Sequence, residues 1–242
     1  MRKLTLLLPL LLLLGWQAAA QQAVTEPTVE TFQLGNVNVK VPAPDGFIGI
    51  MSTLDKVVAR LRATEAPGND MLTSHIAKDL LPKYQTNQEQ DLDVYTKISV
   101  IRSTRTVEIT PTMFGEIRTG FENQIDAMLT PDSAVIKSVQ GNTGKALSEL
   151  WGKDTTVKVN EPRNLGFFER SSNTISAAVF LNFDINGRKF STLATMSMVH
   201  VKKRVIAVFT YKMNPKAEDI DFLRSFAKAF NAKIVAANQG SK

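Results

Sequence analysis

A serine three residues ahead of a lysine, a glycine–lysine turn, a run of alternating carboxylates and two histidines are the places where this sequence could do chemistry. Ser225-Phe226-Ala227-Lys228 has the spacing at which a lysine can take the proton from a serine nucleophile. That chemistry needs the pair to be desolvated. The phenylalanines around it recur at helical spacing, and they place Ser225 and Lys228 on the opposite, solvent side, so a chance match is expected. Gly141-Asn142-Thr143-Gly144-Lys145 has half of a phosphate-binding loop. The full motif needs a glycine at 139 and a hydroxyl after the lysine. Val139 and Ala146 stand there instead, so a plain turn is expected. Glu89, Asp91 and Asp93 would share one face of a strand, and hard cations take clustered oxygens. No glycine-containing calcium loop accompanies them, which leaves a solvated acidic edge. His75 and His200 each stand in a strand without a second His or carboxylate at ligand spacing, and both read as structural.

The chain has 242 residues and no cysteine. A disulfide framework, a zinc knuckle, an iron–sulfur site, a thiol nucleophile and a lipid-modified N-terminal Cys are all excluded. Hydrophobic residues are 43% and charged residues 21%, an ordinary globular balance. No nucleophile elbow, zinc-protease helix or dinucleotide glycine fingerprint occurs. The sequence therefore assigns no catalytic, cofactor-binding or metal-ligating residue, and it calls for no cofactor.

Residues 1–20 read MRKLTLLLPLLLLLGWQAAA. Arg2 and Lys3 precede an apolar run from Leu4 to Leu14, and Ala18-Ala19-Ala20 supplies the small residues of a cleavage site. A spanning helix needs about 20 apolar residues. Gln17, Gln21 and Gln22 end this run earlier. A signal peptide cleaved after Ala20 is expected, with the periplasm of a bacterium as destination and no membrane span afterwards. Loss of Arg2 and Lys3 would leave 27 basic and 23 acidic residues, a net charge of +4. That is too little for nucleic acid.

Residues 21–31 read as a flexible lead-in, 32–237 as one domain and 238–242 as a tail. Phe32 to Val41 alternates apolar residues and predicts one strand, stopped by Pro42-Ala43-Pro44-Asp45-Gly46. Ser52-Thr53-Leu54-Asp55 resembles a capping box ahead of a helix carrying Leu54, Val57, Val58 and Leu61. Pro67-Gly68-Asn69 stops that helix. Strands are predicted over 71–77 and 91–102. Thr110-Pro111 is an N-cap and first helical position. Met113, Phe114, Ile117, Phe121, Ile125 and Met128 then form one apolar face. Residues 130–170 are read as turns at Pro131-Asp132 and at 141–144, a helical turn over 145–151 and a strand over 155–159.

Asn186-Gly187 between two β-rich runs predicts a hairpin with a two-residue loop. Phe183 then faces Phe190, Val179 faces Ala194 and Ile175 faces Met198. A second turn at Lys202-Lys203 places Met196 opposite Phe209 and Ala194 opposite Tyr211. One face of the three strands is apolar and the other mostly polar. Arg188 and Lys189 mark one tip and Lys202, Lys203 and Arg204 the other, so these cations are a strand apart rather than one patch; Lys212 returns to the first end. Asn214-Pro215 is read as the N-cap and start of a last helix, whose Phe222, Phe226 and Phe230 would lie over Met196, Met198, Ala207 and Phe209. The fold class is α+β, an antiparallel sheet with helices packed on it.

The early strand into Pro42-Ala43-Pro44-Asp45-Gly46-Phe47, the Asn186-Gly187 meander and the helix after Asn214-Pro215 together resemble the PsbP-like exported α+β domains of photosystem extrinsic proteins and bacterial envelope proteins. The resemblance covers 32–237 and implies a non-catalytic accessory or binding module. It brings no catalytic residue. The expected function is thus a periplasmic binding module whose partner is a protein or small molecule of the cell envelope. A hydrolase-like enzyme built from scattered Asp, Glu, Ser and His75 or His200, and an envelope-surface protein, are the alternatives.

Overall fold

The computed structural model describes residues 29–66, 68–86 and 92–240. The expected signal peptide, most of the lead-in, Pro67, Glu89 and Asp91 lie outside the described residues. Two strands, β1 (Val29–Leu34) and β2 (Val37–Pro42), form a separate hairpin. Here one strand was expected from 32 to 41. Gly35, at φ +62°, turns the chain between Leu34 and Val37 and divides it in two.

The main sheet has seven strands in the order β3-β4-β5-β9-β8-β7-β6, every pair antiparallel. They are β3 (Phe47–Gly49), β4 (Asn69–Ala77), β5 (Val94–Ile101), β6 (Val157–Arg170), β7 (Thr174–Ile185), β8 (Arg188–Val201) and β9 (Arg204–Met213). The register of the meander is the one the two turns dictate: Phe183 faces Phe190, Ile175 faces Met198, and Met196 faces Phe209. Asn186 at φ +50° and Gly187 at φ +87° supply the left-handed turn that such a two-residue loop requires.

The helices are α1 (Asp55–Ala63), α2 (Leu81–Gln85), α3 (Pro111–Met128), α4 (Ala134–Trp151) and α5 (Asp219–Asn238). Thr110 caps α3 as expected, its hydroxyl accepting from the Met113 amide at 3.3 Å. The capping box of α1 is not formed. Leu54 is the N-cap residue and no side chain caps it, because the 50–54 segment closes through backbone bonds from Thr53 and Leu54 to Ile50. The last helix begins four residues later than Pro215. Asn214 sits at φ +46° and donates its amide to Ser191, so it prolongs the sheet instead of capping the helix.

The largest departure is α4. It runs straight through Gly141–Gly144, where turns were expected, and the strand after it extends to Arg170. Its ends carry clear signals: Ser133 caps the start, accepting from Ile136 at 3.1 Å, and Gly152 at φ +63° closes the end. The interior glycine has a packing reason. A Cβ at Gly144 would stand 3.0 Å from the Thr155 carbonyl, so only glycine lets the following segment lie against the helix.

Helices cover both sheet faces. On one face α1 packs on Ile76 and Tyr95 with its Leu54, Val57, Val58 and Leu61. Beside it Phe121, Ile125 and Leu129 at the end of α3 cover Ile175, Ala177, Val179 and Ala194. The apolar meander face is therefore closed by α3, not by the last helix. Helix α5 lies on the other face with the β1–β2 hairpin. There Phe230 and Ile234 are buried with Leu34, Val39, Val199, Ile206 and Val208. Phe226 packs at a tilt against Phe47 at 5.0 Å and Phe222 is half exposed, so the expected placement of these rings over Met196 and Phe209 is corrected.

The serine and threonine side of the meander is mostly polar, as the registers imply. It is buried because its hydroxyls satisfy one another. Thr195 and Thr210 share a bond of 2.6 Å, and Asn231 of α5 donates to Ser197 at 3.0 Å and to Ser176 at 3.2 Å.

Candidate functional site

On the α5 face, neighbouring strands align His75, Thr96, Thr210 and Thr195 in one row. All four are fully buried. His75 Nδ1 and the Thr96 hydroxyl are 2.8 Å apart, and His75 Nε2 lies 3.5 Å from Glu30 Oε2, with no hydrogen-bond partner. Thr73 donates to the same carboxylate oxygen. A hydroxyl, an imidazole and a carboxylate thus follow one another in the order acyl-transfer enzymes use. Phe230 closes the imidazole edge-on at 5.7 Å, and the β1–β2 hairpin carries Glu30 over it. A substrate has no approach to Thr96, so the group acts as a polar clamp between hairpin and sheet.

His200 is placed as a structural residue. It stacks on Phe114 at 5.0 Å, and its Nε2 donates to the Ile109 carbonyl at 2.7 Å.

On the opposite face Lys97 and Glu65 form a buried ion pair at 3.1 Å. Glu65 also accepts from Ser99 at 3.0 Å and from Asn69 at 3.2 Å. Tyr95 and Tyr211 stack beside them at 4.6 Å. Burial pushes both phenols up from 10.0; the nearby Tyr211 adds to the effect on Tyr95 against the pull of Lys97, and Glu65 adds to that on Tyr211. A pKa raised in the folded state gives stability that is complete below the unfolded value and declines as pH rises past it. Alkaline titration is therefore expected to ionise these two phenols together with unfolding, and Tyr95→Phe to extend the folded range upward in pH. Phenolate absorbance that develops fully while circular dichroism stays native would contradict this.

The residues singled out by motif are dispersed. Ser225 and Lys228 are both exposed on α5, and Lys228 lies over the Phe168 ring at 6.0 Å rather than against the serine. Lys145 is on the solvent side of α4 beside Glu149. Asp93 pairs with Lys212 at 2.5 Å, which accounts for the one member of the acidic run that is described. Among the described residues no group of three His, Asp or Glu could hold a metal ion.

The basic tip of β8–β9 is consumed internally. Lys202 donates to the Asn38 carbonyl at 2.9 Å. Arg204, buried, donates to the Leu34 carbonyl at 3.1 Å and to Asn36 Oδ1 at 2.8 Å. Lys203 holds Glu108, whose carboxyl its hydrogen bond and charge draw below the usual range. Hydrogen bonds from Lys233 to Asp45 and from Arg102 to Asp70 do the same to those carboxyls. These cations fasten the β1–β2 hairpin and the surface loops.

The other tip is different. Two open clefts flank it, and Phe190 and Asn214 line both. One, of about 970 Å³, is lined by Lys158, Asn160, Glu161, Asp184, Lys189 and Ser191, among others. The second, of about 660 Å³, is lined by Trp151, Lys153, Ile185, Arg188 and Met213. Phe183 and Phe190, which both line the first cleft, stack at 5.2 Å. Glu161 and Asn214 both carry φ +46° at the cleft wall, outside any hairpin turn. Strained backbone of this kind gathers at binding sites. Of these residues, Arg188 and Lys189 stand out in the sequence as a basic tip, and the hairpin register sets Asp184 opposite Lys189. Lys158 beside Asp184 comes only with the pairing of β6.

No family model matches the chain, and no curated protein matches it. Solved structures that match include a mutant of the protein Mog1, at 9% identity over 88% of this chain and 95% of that one, with a TM-score of 0.34. Another is the Saccharomyces cerevisiae Ran-binding protein Mog1p, at 9% identity over 87% and 93%, with a TM-score of 0.31. The resemblance to PsbP-like exported envelope proteins is corrected as a recognition: no family model matches the chain, and the two solved structures named here are of Mog1 proteins. The α+β class, an antiparallel sheet with helices packed on it, stands.

Proposed function

We propose that this chain is an exported, non-catalytic binding module whose site is the pair of clefts at the β7–β8 tip. The observation that carries the reading is the chemistry of those clefts. They are open, they hold a stacked aromatic pair, and Lys158, Lys189 and Arg188 around them have no partner among the described residues. Unused polar groups beside an exposed aromatic surface are what a binding face offers. The buried hydroxyl–imidazole–carboxylate group lies away from both clefts, which favours binding over hydrolysis. Among the described residues no helix is long and apolar enough to cross a membrane. Export rests on residues 1–20 alone.

Native mass spectrometry of protein purified from the periplasm tests the function. A species carrying an intact ligand or partner is expected. Recovery of a chemically converted ligand would overturn the reading in favour of an enzyme. N-terminal sequencing tests the export step: the exported chain is expected to start at Gln21, and an intact Met1 in the membrane fraction would refute cleavage.

A further inference from the structure

We infer that the second cleft binds a small organic anion, a carboxylate carried on an apolar body. Arg188 and Lys153 meet the charge, and Ile185, Phe190 and Met213 meet the body. This deepens the binding-module reading and rests on it. The strand registers carry the argument. Ile185 pairs with Arg188, Phe183 with Phe190 and Thr192 with Met213. Alternate residues of a strand share a face. Ile185, Arg188, Phe190 and Met213 therefore stand on one face of the sheet, and Asp184 and Lys189 on the other. Those first four all line the cleft of about 660 Å³. That volume falls within the range of about 300–1,000 Å³ usual for small-molecule sites. Ile185, Phe190 and Met213 are half-buried, so they offer a ligand an apolar floor. The Thr192 hydroxyl donates to the Met213 sulfur at 3.4 Å and steadies that part of it.

The charge of the cleft has one sign. Among the described residues that line it, the charged ones are Lys153 and Arg188, both exposed. Neither has a carboxylate partner among the described residues, whereas the cations at the other tip are spent on Asn38, Leu34, Asn36 and Glu108. Lys153 lies over the Trp151 ring at 5.8 Å, so the ring holds the lysine at the cleft wall. It also follows the C-terminal end of α4, whose carbonyls draw on its charge. Arg188 has no such competitor, and a guanidinium can hold a carboxylate by two parallel bonds.

The walls are joined to each other. The Asn186 amide donates to the Thr156 carbonyl at 3.1 Å, and its side-chain oxygen accepts from the Thr156 amide at 2.9 Å. Ser148 of α4 accepts from the Thr155 amide at 2.8 Å. The hairpin tip that carries Arg188 and the helix end that precedes Lys153 are thus fixed to the same short segment. Walls set in advance lower the ordering cost of binding.

The chain contains two tryptophans, Trp16 and Trp151. In the full chain carrying Trp16→Phe, fluorescence reports this cleft directly. The probes are phenylacetate and decanoate, a ring and a chain on the same carboxylate, compared with phenylacetamide, benzylamine and inorganic phosphate. At least one of the two acids is expected to shift Trp151 emission saturably, with an affinity that falls as salt rises. The tighter of the two shows whether the body is a ring or a chain. Arg188→Gln is expected to weaken binding about tenfold, with the circular dichroism unchanged because the side chain is exposed. Lys56→Gln, exposed on α1 and outside both clefts, is expected to leave the affinity unchanged. Silence from both acids, an amide or amine that binds as tightly, or an unaltered affinity in Arg188→Gln would overturn the inference. Phosphate displacing the acid at equal concentration would overturn it in favour of an inorganic anion. A protein partner or an uncharged ligand found by native mass spectrometry would sink this inference and leave the binding-module reading intact, whereas a chemically converted ligand would sink both.

Discussion

Lys97→Met is expected to destabilise the protein by about 3–5 kcal/mol, the usual cost of removing one partner of a buried ion pair. The two side chains are 7% and 9% exposed, so water can do little for the charge left behind. Glu65 would keep its bonds from Ser99 and Asn69, and these place the loss toward the lower end. The position explains the size of the effect. Glu65 follows α1, Lys97 sits at the centre of β5, and the Glu65 carbonyl accepts from Asn142 of α4 at 3.4 Å. The ion pair therefore ties the end of α1 to the sheet, and the backbone of the same glutamate meets α4. Urea denaturation measures the change. The double variant Lys97→Met, Glu65→Gln should recover much of the loss, since no buried charge remains. A single Lys97→Met variant as stable as the parent would show that the pair is hydrated and contributes little.

Phe230→Ala should cost about 3–5 kcal/mol, while Phe222→Ala should fall within about 0.5 kcal/mol. Both rings belong to the same helical stripe of α5. Phe230 is 2% exposed, packed with Leu34, Val39 and Ile206 and against the His75 ring; Phe222 is 50% exposed. The ranking tests which face of the sheet α5 covers. If the helix lay over Met196 and Phe209, the three phenylalanines would contribute comparably. Thermal or urea denaturation of the two variants decides it, and equal losses would refute the placement.

Much of the fold was legible because its signals are local. Asn186-Gly187 and Lys202-Lys203 set the registers of β7, β8 and β9 without any help from distant residues. Thr110-Pro111 marked the start of α3 for the same reason. Helix α4 was hidden because its glycines and Asn142 have poor helix propensity. They stand in a helix through contacts made elsewhere: Gly144 against the Thr155 carbonyl, and Asn142 to Ser138 and to the Glu65 carbonyl.

The candidate site was less legible than the fold. Arg188 and Lys189 were visible as a basic tip. Trp151, Lys158 and Asn214 come from three separate segments, the end of α4, β6 and the residue after β9, and no spacing rule joins them.

By itself the sequence determined the alternation of the meander strands, the position of their two turns and the amphipathic stripes of α3 and α5. It also determined the absence of thiol chemistry. Only the tertiary structure decided which stripe meets which sheet face. Periodicity shows that a strand has two unlike sides, and it does not show that both are covered. The side rich in Ser and Thr is polar by its residues alone. It became an interior once Thr195 could bond Thr210, and once Asn231 could reach Ser176 and Ser197, because a polar group is buried at little cost when its partner is buried with it.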